Sequence, residues 1–84
     1  MVRMEPMEGV KLTIDTRGLL VPKRPKKVSQ ELEKAGPGEL AEIVADDPRL
    51  PEMAPKMIAA IGKAELIRTW QGEDGFYYAL VKRI

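Results

Sequence analysis

Hydrophobic and polar positions change their spacing within the first half of the chain. They alternate over residues 10–15, which predicts a half-buried strand whose core-facing side chains are Val10, Leu12 and Ile14. Apolar positions then recur every three or four residues, which predicts a first helix over residues 23–35 with an apolar stripe of Val21, Pro25, Val28, Leu32 and Ala35. Pro22 or Pro25 suits the first turn of this helix, and the Gly-Pro-Gly sequence at residues 36–38 ends it.

The second half of the chain predicts another strand, a second helix and a hairpin. Residues 39–45 are mostly apolar and predict a strand. The Asp-Asp-Pro sequence that follows is typical of a helix start, and this helix should run to Ile61, with Gly62 as its cap. Pro51 and Pro55 are expected to break its early part, so that the regular helix begins at about residue 55.

Two further strands are predicted at the carboxyl-terminal end, over residues 64–70 and 76–83. The Gly-containing loop of residues 71–75 should join them as an antiparallel hairpin. The element order is then β-α-β-α-β-β. Because strand–helix–strand crossovers are right-handed, both helices are expected on one face of the sheet. The predicted fold class is α+β, a two-layer sandwich with a mixed four-stranded sheet, formed by a single domain over residues 10–84 after a flexible tail of residues 1–9.

Composition excludes most catalytic chemistry. The 84 residues include no cysteine and no histidine, so disulfides, thiol nucleophiles, persulfides, thiolate metal sites and histidine bases are all excluded. We therefore expect no enzyme activity, no metal site and no cofactor. No apolar run reaches the roughly 18 residues of a membrane span, and residues 1–9 lack the apolar segment of a signal peptide. A cytoplasmic protein without membrane contact is expected.

Positive charge is concentrated in one part of the chain. The net charge is +1, but residues 16–30 contain no acidic residue and carry +5, so the remaining residues sum to −4. This cluster predicts one local anion or partner-binding patch, which we call the basic patch, formed by Arg17, Lys23, Arg24, Lys26 and Lys27. Cations at a helix start are unfavourable for stability, which favours a binding role. The alternative is a solvated run of charges without function.

Three other features have a structural and a functional interpretation. Arg17 could join the basic patch or pair with Asp15 or Asp47. Asp46 and Asp47 resemble a metal or acid–base pair, but capping of the second helix explains them better. The hairpin aromatics should alternate, with Phe76 and Tyr78 on one side and Tyr77 on the other, and either pack in the core or stack against a base or partner.

One segment resembles the opening motif of a known family. The sequence from Leu12 to Pro22 is similar to the TusA/SirA-like sulfur-carrier family, in which an apolar strand leads to Asp-x-Arg-Gly-Leu and then to Cys-Pro-x-Pro. The similarity extends through the Ala-Asp-Asp-Pro step at residues 45–48, Pro55, Gly62 and the Asp-Gly hairpin, and so covers residues 12–84. The motif positions in this chain are Asp15, Arg17, Gly18, Val21 and Pro22.

The resemblance implies a sulfur carrier without its reactive atom. Family members carry a persulfide on the motif cysteine, where a helix start stabilises the thiolate, and pass the sulfur to partner proteins, for example toward tRNA thiolation. Val21 occupies that cysteine position here, and Arg24 occupies that of the second motif proline. The leading hypothesis is therefore a non-catalytic binding or regulatory protein that docks to protein partners of a sulfur-transfer pathway. The alternative is a small module that binds tRNA or another nucleic acid through the basic start of the first helix.

Overall fold

Four strands and two helices make up the described part of the chain. The computed structural model describes residues 9–84, so the predicted tail falls almost wholly outside the described residues. The elements follow the predicted β-α-β-α-β-β order, with bounds β1 Val10–Asp15, α1 Arg24–Leu32, β2 Leu40–Ala45, α2 Leu50–Ile61, β3 Ala64–Gln71 and β4 Tyr77–Arg83. Within residues 9–84, neither helix has the length and apolar character that a membrane crossing requires.

The sheet is mixed, with strand order β1-β2-β4-β3. Strand β1 runs parallel to β2, whereas β4 is antiparallel to both of its neighbours, β2 and β3. Ile43 lies in the central part of the sheet, paired with Ile14 on one side and Ala79 on the other. The predicted mixed four-stranded sheet is confirmed, because a parallel crossover joins the first two strands and a tight hairpin joins the last two.

Both helices cover the same face of this sheet, as predicted. Alternate residues of β2, namely Ala41, Ile43 and Ala45, belong to one buried cluster with residues of α1 and α2. The helices contribute Val28, Leu32, Leu50, Ala54 and Ile58 to this cluster. The small alanine side chains on the sheet leave room for the larger aliphatic side chains of the helices, which is how a close-packed interior is filled without strain.

The amino-terminal end of β1 departs from the predicted alternation. A bulge between Val10 and Leu12 shifts the register, so that Val10 pairs with Leu40 and Leu12 pairs with Ala41. Leu12 and Ile14 face the helices as predicted, but Val10 is not part of the core cluster or packed against it. The prediction for Val10 is wrong because an inserted residue in a strand moves the preceding side chain to the other face.

The helix boundaries also differ from prediction. A short 3₁₀ turn over Val21–Lys23 precedes α1, and α1 ends at Leu32, after which the N–H of Ala35 donates to the carbonyl of Leu32 in a turn (3.0 Å). The predicted break within α2 is wrong, since the helix is continuous through Pro55. Pro51 lies in the first turn, where a missing N–H is harmless. Pro55 lacks only the hydrogen bond to the carbonyl of Pro51, and because Pro51 is exposed, water can hydrate that carbonyl.

Candidate docking site at the start of the first helix

Thr16 fixes the loop between β1 and α1. Its side chain is buried, and its hydroxyl and its backbone N–H both donate to the carbonyl of Val44 at the end of β2, at 2.7 and 2.8 Å. The carbonyl of Thr16 in turn accepts the N–H of Leu19 (3.2 Å), and Gly18 has a positive φ of 80° within this turn. The loop therefore leaves the sheet in a defined direction toward the first helix.

The apolar tip of this loop is exposed. We call Leu20 and Val21, which are 67% and 37% exposed, the apolar tip. Val21 opens the 3₁₀ turn that leads into α1. Together with the exposed Pro25 it forms the outer end of the predicted helical stripe, whereas Val28, Leu32 and Ala35 at the inner end are buried. Val21, which the sequence resemblance places at the family cysteine position, is thus accessible from outside.

Arg24 is anchored within the protein. Its Nη1 donates to Asp47 Oδ2 at 2.8 Å, its Nε donates to the carbonyl of Leu19 at 3.1 Å, and its Nη2 lies 3.5 Å from Asp46 Oδ1. The side chain is only 12% exposed. This arginine ties the start of α1 to the loop before α2.

Asp47 is the centre of this arrangement. Its carboxylate is nearly buried and accepts bonds from the Arg49 side chain, the Arg49 backbone N–H and Arg24, which hold the pKa of Asp47 well below its usual range. The capping prediction is confirmed for Asp47, whose Oδ1 accepts the free backbone N–H of Arg49 at 2.9 Å just before α2 begins at Leu50. It is wrong for Asp46, whose carboxylate accepts the N–H of Gly18 instead. Among residues 9–84, no group of three potential metal-ligating side chains occurs.

Arg17 pairs with Asp15, one of the two partners weighed from the sequence. Its Nε and Nη2 donate to the two carboxylate oxygens at 2.9 and 2.7 Å, and its backbone N–H adds a third bond at 3.0 Å. These bonds from Arg17 lower the pKa of Asp15 to about 2. The guanidinium also lies over the ring of Phe76, 4.7 Å from its centroid. Asp15 and Arg17 therefore stabilise the loop that presents Val21.

Three lysines of the basic patch remain available. In the part of the chain that the structure describes, Lys23, Lys26 and Lys27 form no ion pair, and Lys23 and Lys26 are exposed. Arg17 and Arg24 would have to leave their carboxylates in order to bind an external anion. The binding role of the basic patch stays a prediction.

The hairpin aromatics separate onto two faces, as their alternation predicted for Tyr77 and Tyr78. Tyr77 packs against the core cluster. On the other face, Trp70 stacks with Tyr78 at a centroid distance of 5.4 Å and an interplanar angle of 9°. The guanidinium of Arg68 lies 4.5 Å from the centroid of the Trp70 ring. These rings already have partners within the protein, which favours their role in packing over base stacking.

A small apolar cavity beside the apolar tip was not foreseen from the sequence. Its volume is about 60 Å³, and its apolar lining comes from Val21, Pro25, Ile43, Leu50, Met53 and Met57. Met53 and Met57 lie four residues apart in the sequence, a spacing that by itself predicts only a core-facing side of the helix. The cavity lies where the start of α1 meets α2, at the edge of the core cluster to which Ile43 and Leu50 belong.

Comparison with known proteins identifies the fold. No family model and no curated protein matches the chain. Among solved structures, a SirA-like protein from Desulfitobacterium hafniense superposes with a TM-score of 0.62 at 19% identity, over 86% of this chain and 96% of that chain. The identity is low, so the likeness concerns the three-dimensional arrangement alone. The chain therefore has the fold of a SirA-like protein, as the opening motif of its sequence had indicated.

Proposed function

We propose that this protein is a sulfur-relay family member of the TusA/SirA-like type that lacks the sulfur-carrying cysteine and acts by binding proteins. The observation that carries the proposal is the position of Val21. It is exposed and opens the 3₁₀ turn before α1, in a chain that has the fold of a SirA-like protein and contains no cysteine. The protein keeps the scaffold around the family cysteine but offers a methyl-bearing side chain in place of a thiol.

The proposed role is regulatory. The protein would dock to a cytoplasmic sulfur-transfer partner at the surface where a sulfur acceptor docks. Because it accepts no sulfur, it blocks that surface and no sulfur is transferred. The hydrogen bonds of Thr16, Arg24 and Asp15 hold the loop around Val21 in place without any covalent chemistry. Such a rigid loop binds with little ordering cost, because its conformation is set before the partner arrives.

The substitution Val21→Cys is expected to create a sulfur acceptor. Incubation with a cysteine desulfurase and radiolabelled cysteine should label this variant and leave the parent unlabelled, because the parent has no thiol. The matched control is Leu20→Cys, which places a thiol on the more exposed neighbour just before the 3₁₀ turn and should be labelled far less. Reduction by dithiothreitol should remove the label, as expected for a persulfide.

The parent protein is tested in the same assay as a competitor. In excess, it should slow the labelling of a cysteine-bearing SirA-like protein by the desulfurase. The proposal is contradicted if the folded Val21→Cys variant stays unlabelled and the parent does not slow the transfer.

The second candidate function, nucleic-acid binding, is favoured by the three lysines that form no ion pair within residues 9–84. Lys23 is the N-cap of α1, Lys26 lies in its first turn, and no acidic residue offsets them. The double substitution Lys23→Glu/Lys26→Glu should therefore stabilise the domain by about 1–2 kcal/mol at low salt. If the patch binds RNA, the same variant should bind tRNA more weakly, with a smaller dependence on salt.

Thermal melting and salt-titrated tRNA binding measure the two effects. The control for binding is Lys11→Glu/Lys82→Glu, which changes the charge equally at exposed positions on the strands. Equal tRNA affinity of both double variants and the parent would rule out the basic patch as the site of nucleic-acid binding.

A further inference from the structure

The cavity between α1 and α2 offers mainly apolar contacts, although two of its lining residues are polar. Thr16 and Arg24 contribute to its wall. The hydroxyl of Thr16 already donates to the carbonyl of Val44, and the guanidinium of Arg24 is bound to Leu19 and Asp47. Their polar groups are thus engaged elsewhere, and they offer the cavity no free donor. Water in such an apolar pocket finds few hydrogen-bond partners, so a group that fills the pocket displaces no well-bound water.

The volume of the cavity sets the size of the group that fits. An apolar cavity of about 150 Å³ accepts benzene, whereas this one measures about 60 Å³. The small volume therefore favours a branched aliphatic side chain over an aromatic ring. Met53 and Met57 form part of the wall, and methionine side chains adapt easily to the shape of what they contact.

The charges around the cavity favour a binding partner with acidic residues next to the group that enters the cavity. On the α1 side, Lys23 and Lys26 are exposed neighbours of the lining residues Arg24 and Pro25. The nearby carboxylate of Asp47 is neutralised by Arg24 and Arg49. On the α2 side, Glu52 and Lys56 are both exposed, and their charges cancel.

We propose that this cavity binds one aliphatic side chain of an acidic segment of a partner protein. The aliphatic group inserts beside Val21 between Met53 and Met57, while carboxylates next to it in the partner contact Lys23 and Lys26. The inference rests on the docking role proposed above and specifies the chemistry of the partner. The proposed interface has one buried aliphatic side chain at its centre and charged contacts around it. In interfaces of this kind a few residues supply most of the binding free energy.

A short peptide with a central leucine flanked by aspartates on both sides is the probe. Added to protein labelled with ¹³C at the methionine methyl groups, it should shift the resonances of Met53 and Met57, assigned through Met53→Leu and Met57→Leu variants. A matched peptide with serine in place of leucine should bind at least about tenfold more weakly, because burying a leucine side chain contributes roughly 1.5–3 kcal/mol. A third peptide with lysines in place of the aspartates should not bind.

The protein variants provide the second comparison. Lys23→Glu/Lys26→Glu should weaken binding of the leucine peptide, whereas Lys11→Glu/Lys82→Glu should not. The inference is overturned if the leucine peptide leaves Met53 and Met57 unshifted, or if the serine peptide binds equally well. Competition by the parent in the sulfur-transfer assay is measured independently. If that competition persists while the leucine peptide fails, docking stands and the cavity is not its anchor.

Discussion

Replacement of Leu32 by alanine is expected to lower the free energy of unfolding by roughly 2–5 kcal/mol. Leu32 is fully buried and belongs to the cluster that joins α1 to the sheet. Removing its branched end leaves a cavity that the surrounding alanines are too small to fill. Since a domain of 84 residues has a total stability of about 4–12 kcal/mol, this single change removes a large share of it.

The matched control is the same substitution at Leu20, whose side chain is 67% exposed. Leu20→Ala should change the stability by no more than about 0.5 kcal/mol, as is usual for surface positions. Urea denaturation followed by circular dichroism measures both variants. Similar losses for the two would mean that α1 does not pack on the sheet as described.

Asp47→Ala is expected to lower the free energy of unfolding by about 2–3 kcal/mol. The carboxylate is nearly buried and is the main anionic partner of Arg24, whose side chain is only 12% exposed. Without it, the guanidinium stays in a poorly hydrated position with a single well-formed bond, to the carbonyl of Leu19. The neighbouring control Asp46→Ala removes a 42% exposed carboxylate and should cost about 1 kcal/mol or less.

The contribution of Asp47 should also depend on pH. Its pKa in the folded protein is depressed, chiefly by the bonds from Arg49 and then by that from Arg24. The stabilisation is therefore fully present above the unfolded value of about 4 and is lost as the pH falls below it toward the folded pKa. Asp47→Ala should lose less stability than the parent between about pH 4 and 2, while Asp46→Ala should follow the parent. Parallel curves for Asp47→Ala and the parent would contradict the described ion pair.

Arg24 makes a long-range contact at a position where the sequence resemblance would place a proline. In this chain the arginine crosses to the loop before α2 and holds Asp47, which lies 23 residues away in sequence. The site around Val21 thus depends on a long-range ion pair within the chain.

Local patterns determined most of the secondary structure of this protein. The bounds of β1 follow from alternation over six residues, and the hairpin follows from a Gly-containing loop between two apolar segments. The fold class follows as well, because crossover handedness leaves few arrangements for this order of elements. The absence of a thiol in this chain is determined even more simply, by the absence of cysteine.

Only the tertiary structure decided which charges and apolar groups form the site. Arg24 and Lys26 look equivalent in sequence, yet one is held by Asp47 and the other is exposed. Val21 and Met57 line one cavity although they lie on different helical segments. Such outcomes depend on how α1 and α2 meet above the sheet, and contacts between residues distant in sequence leave no periodic signal along the chain.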